Sequence, residues 1–187
     1  MKRKLRKRRC PVCSNQYMPF NSLQKCCSNY RCAIEQGKID TNARERRELR
    51  AAKEAIKPKA KWMKEAQTSF NRFIRERDKG LPCISCQRHH QGQYHAGHYR
   101  PSKNTAVRFT EANCHKQCAP CNTHLSGNLT EYRKHLIIKI GLEKVELLES
   151  ELSNAITHWT IDELKEIKRL YNSKTRSLVQ FRERHSQ

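Results

Sequence analysis

Apolar residues recur at helical spacing between about Thr41 and Lys79. Pro58 interrupts this segment, and because proline lacks an amide hydrogen and clashes with the preceding turn, we expect the helix to end or bend near Lys57. From Ala60 onward the apolar positions form one stripe opposite a basic face, which predicts an amphipathic helix that packs in a core. The stripe consists of Trp62, Ala66, Ser69, Phe70, Phe73 and Ile74.

Helical periodicity returns near Leu129 and continues towards the C-terminus. Gly141 is expected to stop or bend the first of these helices, and a second apolar segment follows it from Leu142 to Leu152. Thr160 and Glu163 have capping-box spacing, in which each side chain accepts a hydrogen bond from the other residue's backbone N–H. The sequence therefore predicts a last helix from Ile161 to about Arg182.

Residues 80–127 have the composition of loops and short strands, with frequent glycine and proline and little periodicity. No apolar run approaches the ~20 residues that a membrane span needs. The basic residues 1–9 are not followed by the apolar stretch of a secretory signal. We therefore expect a protein of a reducing cytoplasm, where paired cysteines bind metal more often than they form disulfides.

The charge of the chain indicates a binding partner. The sequence has 39 Lys and Arg against 18 Asp and Glu, a formal net charge of +21, and residues 1–80 hold 23 of the basic and 8 of the acidic residues. Such a field favours a polyanion, of which nucleic acid is the commonest. A solubilising tail is the alternative, but the lopsided distribution makes it the weaker account.

Five cysteines lie close together near the N-terminus. Cys10 and Cys13 form a Cys-x-x-Cys turn, which can supply two thiolates to a tetrahedral zinc ion. We expect Cys27 and Cys32 to complete the site, with Cys26 spare or able to substitute for Cys27. A redox pair or buried free thiols are the alternative. The predicted zinc is structural, because a segment this small would scarcely fold without it.

A second four-cysteine set has more regular spacing. Cys83 and Cys86 form one Cys-x-x-Cys pair, and Cys118 and Cys121 form another after a loop-like interval of 31 residues. This pattern predicts a zinc site. Four thiolates leave no open coordination position, so this zinc should brace the fold and take no part in chemistry.

Histidine and asparagine are dense between and just after these two pairs, whereas Glu111 is the only acidic residue in positions 81–127. Magnesium sites built from several carboxylates are therefore excluded from this segment. Acid–base chemistry would have to come from histidine, whose pKa lies near neutrality. The set comprises His89, His90, His95, His98, Asn113, His115, Asn122 and His124.

Several segments resemble the NinG/Rap proteins of lambdoid phages, and the resemblance covers nearly the whole chain. It implies a phage recombination endonuclease that acts on branched DNA, such as D-loops and Holliday-type junctions, in the bacterial host beside other phage recombination proteins. The segments are Arg9–Cys13, Tyr94–Tyr99, Arg108–Asn113, Cys118–Asn122, Leu125–Asn128 with Tyr132, and Gly141-Leu142.

The central module also resembles the HNH, or ββα-metal, nucleases. That resemblance implies that His98 is the general base that activates water, that Asn113 orients its imidazole, and that Asn122 binds a catalytic Mg²⁺ or Mn²⁺ through its amide oxygen. The cation would neutralise the phosphate and the leaving oxygen.

The sequence departs from the HNH pattern at Gly97, where those nucleases place an Asp or His metal ligand directly before the base. Glycine has no side chain to offer. The candidates for this place in the metal shell are His95, His115 and His124, and a structural or DNA-contacting role is the alternative for each.

Together these observations predict an α+β protein with a zinc-stapled ββα-metal centre. Its expected parts are a basic arm and zinc knuckle (1–40), a basic helical region (41–80), the HNH-like module (81–128) and C-terminal helices (129–187). A zinc-stabilised factor that binds branched DNA without cutting it is the alternative, and a zinc adaptor for recombination proteins is disfavoured by the charge. A homodimer would suit paired cleavage of a junction, with residues 142–152 as either its interface or core.

Phosphate contacts are expected from three groups of basic residues. The first is the N-terminal arm, the second is the end of the helix that follows Pro58, and the third is the central module. The candidates are Arg3, Lys4, Arg6, Lys7, Arg8, Arg9, Arg72, Arg75, Lys79, Arg100, Lys103 and Arg108.

Overall fold

The computed structural model describes residues 5–150 and 156–185. The chain forms two compact units, Met1–Lys57 and Pro58–Gln187. Each unit combines α-helical structure with a two-stranded antiparallel sheet, in agreement with the predicted α+β class. The division falls between Lys57 and Pro58, where the proline predicts that the helix ends or bends. No helix in the described part is long and apolar enough to cross a membrane.

The first unit consists of a small hairpin and one long helix. Strands β1 (Arg8–Arg9) and β2 (Gln16–Tyr17) pair antiparallel, and helix α1 spans Tyr30–Ala55. The helix begins eleven residues before the predicted start at Thr41, because the Asn29 side chain accepts a hydrogen bond from the backbone N–H of Arg31 and caps it. α1 therefore runs through the expected boundary at residues 40 and 41.

The basic N-terminal segment, residues 1–9, ends in a strand. Arg8 lies in β1, and its guanidinium donates hydrogen bonds to the carbonyl oxygens of Ser22 and Gln24 at 3.3 and 3.1 Å. These bonds tie β1 to the loop that leads into Cys26 and Cys27. Arg3 and Lys4 lie outside the described residues.

The second unit places helices on both faces of its hairpin. Strand β3 (Tyr94–His98) pairs antiparallel with β4 (Cys114–Cys118). Helix α2 (Lys59–Arg77) packs against α5 (Ile161–His185), and α2 also contacts both strands. Helices α3 (Leu129–Ile140) and α4 (Leu142–Glu149) pack against each other.

Two apolar cores flank the hairpin. The predicted stripe of α2 packs with Phe109, Cys114, Leu164 and Tyr171 in one of them. The other joins α3 and α4 to Ile84, Tyr99 and Val107. Val145 and Leu148 of α4 are buried in this second core, so the segment from Leu142 contributes to the core, while Leu142 and Leu147 are exposed. Leu152 lies outside the described residues.

A buried carboxylate ties α2 to β4. Asp78, which follows α2 directly, is 3% exposed and accepts hydrogen bonds from the Arg77 guanidinium at 2.8 Å and from the backbone N–H of Lys116 at 3.1 Å. Burial opposes ionisation, but the Arg77 guanidinium outweighs it and lowers the pKa of Asp78. The Asp78 carboxylate thereby connects the end of α2 to the backbone of β4.

Local signals in the C-terminal part are confirmed. Gly141 separates α3 from α4 with a φ of 87°, a conformation that favours glycine. Thr160 and Glu163 form the predicted capping box, with the Thr160 N–H donating to Glu163 Oε2 at 2.7 Å and the Glu163 N–H donating to Thr160 Oγ1 at 3.2 Å. The last helix begins at Ile161 as predicted and ends at His185, three residues later than expected.

Candidate functional site

Four cysteines of the first unit converge as the spacing predicts. The sulfur atoms of Cys10, Cys13, Cys27 and Cys32 lie within 4.8 Å of one another, and those of Cys13 and Cys27 are 3.8 Å apart. Zn–S bonds of ~2.3 Å in a tetrahedron place two sulfurs ~3.8 Å apart. Backbone N–H groups of Cys13 and Cys27 lower the pKa of Cys10 to about 6, which favours its thiolate, whereas burial raises the pKa of Cys32 to about 12. Cys26 is buried but is not a member of the group.

The second four-cysteine group, in the second unit, can also hold zinc. The sulfurs of Cys83, Cys86, Cys118 and Cys121 lie within 4.8 Å of one another, and those of Cys86 and Cys118 are 3.9 Å apart. Burial alone would raise the pKa of Cys83. Hydrogen bonds from backbone N–H groups, including that of Cys118, have the larger combined effect, so the pKa is lowered. Because Cys118 ends β4, a zinc ion here would fix the end of the hairpin.

The hairpin register determines which side chains share a face. His95 pairs with Gln117, Gly97 with His115, and His98 with Cys114. Side chains alternate along a strand, so His95, Gly97, His115 and Gln117 share one face and His98 lies on the other. Two histidines only three positions apart thus leave β3 in opposite directions.

An open groove of about 510 Å³ follows the edge of β3 and collects side chains from both faces. Its lining includes the predicted His95, His98 and Asn122, together with polar side chains of α2. Asn122 comes from the helical turn Pro120–His124, directly after the second cysteine pair. The polar side chains that α2 contributes to the lining are Gln67, Asn71 and Arg75.

His98 is held by its surroundings on both ring nitrogens. Its Nε2 lies 3.0 Å from the backbone carbonyl oxygen of Arg108, and because a carbonyl can only accept, Nε2 carries the hydrogen. Nδ1 lies 3.6 Å from Sγ of Cys114, a weak contact. Burial lowers the pKa of His98, so the ring is neutral at pH 7 and Nδ1 is its basic nitrogen.

The side-chain hydrogen bonds of Asn113 go to Arg100 and Val107 and not to the His98 ring, which the resemblance implies that Asn113 orients. Its side chain is fully buried and bridges a loop: Nδ2 donates to the carbonyl oxygens of Arg100 and Val107, and Oδ1 accepts from the Arg100 N–H. Arg108, the residue after Val107, supplies the carbonyl oxygen that accepts the hydrogen bond from His98 Nε2. Asn113 therefore positions the imidazole through the loop between β3 and β4.

The remaining histidines lie away from the groove. His115 is 2% exposed, and its Nδ1 is 3.3 Å from the hydroxyl of Tyr132, which donates to the Gly97 carbonyl. Burial lowers the pKa of His115 to about 3, so it is a neutral core residue. His124 is exposed and is not part of the groove lining, and His90 contacts Sγ of Cys86 at 3.3 Å. Of the three tentative histidine ligands, the groove contains His95.

The predicted phosphate-binding residues divide by location. Arg75 lines the groove, and Arg100 and Lys103 line a neighbouring hollow that shares Tyr99 and Leu129 with it. Arg72 points elsewhere and donates to Asn172 Oδ1 at 3.0 Å. Of the other candidates, Arg6, Lys7, Arg9 and Lys79 are exposed, while Arg108 donates to Gln67 at 3.0 Å.

Two features of this region carry no sequence signal of their own. Gln67 and Asn71, which line the groove, read as ordinary polar positions on the outer face of α2, and their spacing of four residues places them on one face only once the helix is known. Gln117 follows Lys116 in β4, and its position beside Gly97 is found only through the hairpin register.

Fold and site define a small, basic α+β protein with two four-cysteine groups, one of which lies at the end of the hairpin that carries a histidine- and asparagine-lined groove. A family model described as Bacteriophage Lambda NinG protein matches residues 2–182. The chain belongs to the NinG family, as its motifs predict.

Relatives of the chain are phage proteins. It is 38% identical to Protein ninG of Escherichia phage 933W over 190 residues, which cover 92% of this chain and 94% of that protein. It is 48% identical to Protein ninG of Escherichia phage lambda over 131 residues, covering 70% and 63% of the two chains. Protein ninG of Salmonella phage P22 is 47% identical over 131 residues, covering 70% and 64%. No solved structure matches the chain.

Proposed function

We propose that this protein is a metal-dependent, structure-selective DNA endonuclease that cuts branched recombination intermediates, such as D-loops and Holliday-type junctions. The observation that carries the proposal is the groove in which His95, His98 and Asn122 meet at the edge of a hairpin closed by four cysteines. These residues come from β3 and from the turn after β4. Strand, strand and helical turn follow the order of a ββα-metal centre.

The donor set of the groove fits a divalent cation held by neutral ligands. His95 offers a ring nitrogen and Asn122 an amide oxygen, both of which bind Mg²⁺ or Mn²⁺ less strongly than carboxylates do. Glu111, the only acidic residue in positions 81–127, pairs with Lys174 Nζ at 2.6 Å and does not line the groove. When bound, the cation supplies positive charge to the phosphate and to the leaving oxygen.

His98 is suited to take a proton from water. A water molecule attacks phosphorus, the P–O bond to one sugar breaks, and the proton of the water passes to Nδ1 of His98. The leaving oxygen takes a proton from solvent, and His98 returns its own to solvent afterwards. The Arg108 carbonyl holds the Nε2–H tautomer throughout, which keeps the lone pair on Nδ1.

The basic side chains give affinity for DNA without reading its sequence. Arg75 lies in the groove wall, and Arg100 and Lys103 continue the basic surface into the adjacent hollow. A continuous path of this kind suits a phosphate backbone. Preference for a branch then depends on shape, because phosphate contacts alone do not distinguish one DNA from another.

The test is cleavage of a synthetic four-way junction by wild type and His98→Ala in the presence of Mg²⁺ or Mn²⁺. We expect His98→Ala to lose ~10²–10⁴-fold in cleavage rate, because a positioned base contributes about that much, while junction binding stays unchanged. His124→Ala is the matched control, since that histidine is exposed and outside the groove lining. Cleavage by His98→Ala at the wild-type rate would remove His98 as the base.

One observation favours a second function, a zinc-stabilised factor that binds branched DNA without cutting it. Both ring nitrogens of His98 have neighbours, Arg108 O at 3.0 Å and Cys114 Sγ at 3.6 Å, as in a histidine with a purely structural role. The same experiment separates the two functions. Junction binding without cleavage by the wild type, with any divalent metal, would leave the binding factor.

A further inference from the structure

The first unit displays two large apolar side chains to solvent. Phe20 is 83% exposed and Leu23 is 84% exposed, more than any other large apolar residue in the described part of the chain. Both lie in the loop of residues 18–25 that follows β2, which we call the apolar loop. Single exposed apolar residues are ordinary, but two on one short loop mark an interaction site.

Hydrogen bonds fix the backbone of the apolar loop. Asn21 Oδ1 accepts from the backbone N–H groups of Leu23 and Gln24, both at 2.9 Å. The Gln24 side chain accepts from the Phe20 N–H at 2.7 Å and donates to the Cys26 carbonyl oxygen at 2.8 Å. Because the loop is already ordered, little conformational entropy is lost when its side chains meet a partner.

The base of the apolar loop is held by the rest of the first unit. The Arg8 guanidinium in β1 and the Tyr17 hydroxyl in β2 both donate to the Gln24 carbonyl oxygen, at 3.1 and 3.2 Å. Lys25 Nζ pairs with the Asp40 carboxylate of α1 at 2.8 Å. Hairpin and helix together support a loop whose apolar side chains remain in solvent.

The sequence around the apolar loop is basic. Positions 1–34 contain nine Lys and Arg and no Asp or Glu. Arg6, Lys7 and Arg9 lie in or directly before β1, the strand paired with β2, and all three are exposed. Apolar side chains beside positive charge are complementary to a partner with apolar surface next to negative charge. DNA offers both, because its bases have stacking faces and its backbone has phosphates.

A DNA branch presents such stacking faces at low cost. Inside a duplex, an apolar side chain enters only by separating two stacked base pairs, which costs free energy. At a branch point the stack is already interrupted, so less stacking is lost. Phe20 supplies an aromatic ring, and Leu23 supplies further apolar surface. Stacking is also indifferent to base identity, so such a loop distinguishes a branch from a duplex without reading sequence.

We infer that Phe20 and Leu23 form a wedge that stacks on a base pair at the branch point of DNA. This inference rests on the proposed function, because it names the part of the protein that recognises the branch. The basic residues contribute affinity for phosphates, which every DNA offers, while the wedge contributes the preference for a branch. The wedge requires no catalytic residue, so it serves an endonuclease and a binding factor alike.

The experiment compares Phe20→Ala, Phe20→Trp and Ile138→Ala with the wild type in the zinc-loaded full chain. Fluorescence anisotropy gives the affinity of each protein for a four-way junction and for a linear duplex. We expect Phe20→Ala to lose ~10-fold in junction affinity and to keep its duplex affinity, because one stacking contact contributes about that much. Phe20→Trp keeps an aromatic ring and should keep the preference. Ile138→Ala is the matched control, since Ile138 is 81% exposed on α3.

Two further measurements locate the contact. The salt dependence of junction binding should be the same for Phe20→Ala and the wild type, since an apolar contact releases no counterion. A photoreactive benzophenone amino acid at position 20 should cross-link to nucleotides at the branch and not to those of the arms. Zinc content and thermal unfolding show that each variant is folded.

An unchanged junction preference in Phe20→Ala, or cross-links confined to the arms, would overturn the wedge. Vesicles that contain phosphatidylglycerol test a membrane as the partner instead. Their binding should be equal for Phe20→Ala and the wild type, and a loss in Phe20→Ala would assign the loop to a membrane.

Failure of the wedge and failure of the proposed function are distinguishable. If Phe20→Ala prefers and cuts the junction as the wild type does, only the wedge is wrong. If the wild type prefers the junction through Phe20 but never cuts it, the wedge stands and the endonuclease is refuted. A wild type with equal affinity for junction and duplex refutes both the wedge and the proposed selectivity.

Discussion

His98 Nε2 lies 3.0 Å from the backbone carbonyl oxygen of Arg108, at the end of a loop that Asn113 closes. This bond fixes the tautomer of the imidazole, and burial lowers its pKa. The position and the protonation state of the proposed base are thus both set by the hairpin and its loop.

The pH dependence of cleavage should reflect the lowered pKa of His98. The base must be unprotonated, so kcat/KM rises with pH through its pKa and is level above it. Because burial lowers that pKa, we expect the acid limb below the ordinary histidine value of about 6.5. Rates at pH 5–8 with two Mn²⁺ concentrations check this, since a limb that moves with Mn²⁺ concentration reports metal binding instead. A metal-independent limb above 6.5 would contradict the assignment.

Asn113→Ala should slow cleavage through geometry. The substitution removes three hydrogen bonds of a buried side chain and frees the loop that carries the Arg108 carbonyl. A misplaced base can cost up to about 10²-fold, so we expect kcat to fall by as much with little change in KM. Asn113→Asp keeps the acceptor for the Arg100 N–H and should lie between. Stopped-flow cleavage of folded protein measures this, and an Asn113→Ala enzyme with wild-type kcat would argue against loop positioning.

Arg75→Glu should weaken junction binding more than Arg72→Glu. The two substitutions change the charge equally on the same helix, but Arg75 lines the groove and Arg72 bonds to Asn172. A lost phosphate contact lowers the salt dependence of binding by about one released ion. Fluorescence anisotropy with labelled junction and linear duplex, over a range of salt, measures both. Equal losses for the two variants would mean that net charge alone governs binding.

Cys26 and Cys27 provide an adjacent matched pair. Only Cys27 belongs to the four-cysteine group of the first unit, so Cys27→Ser should bind one zinc ion per chain and Cys26→Ser two. Metal analysis after exhaustive dialysis gives the stoichiometry. Zinc loss on substituting Cys26, with none on substituting Cys27, would exchange their roles.

Asp78→Asn should destabilise the second unit by about 3 kcal/mol, because it leaves Arg77 without its buried partner. The folded-state pKa of Asp78 is lowered, so its contribution is full above the unfolded-state pKa and is lost as the pH falls through the folded value. Urea unfolding at pH 7 and at pH 3 should therefore differ less for Asp78→Asn than for the wild type. The same pH difference in both proteins would assign the acid sensitivity to other groups.

Features that depend on residues near one another in the chain could be predicted from the sequence. Cysteine spacing gave both four-sulfur groups, Pro58 the break between α1 and α2, Gly141 the break between α3 and α4, and Thr160 with Glu163 the start of α5. Each of these signals acts over a few residues, through a turn, a missing N–H or a cap. The start of α1 was predicted too late, at Thr41 instead of Tyr30. Apolar periodicity is weak in this segment, and the Asn29 cap determines where the helix begins.

Tertiary structure alone decided which polar residues meet. His95 of β3 and His115 of β4 lie on the same face of the hairpin, but Tyr132 of α3 contacts His115, while His95 lines the groove. Asn113 acts through a loop, and Gln117 faces Gly97 from the opposite strand. These relationships depend on strand register and on the helix that covers each face, both of which arise from contacts between residues far apart in the chain. A local pattern contains the residue types of this site, but the packing of distant segments selects the atoms that face one another.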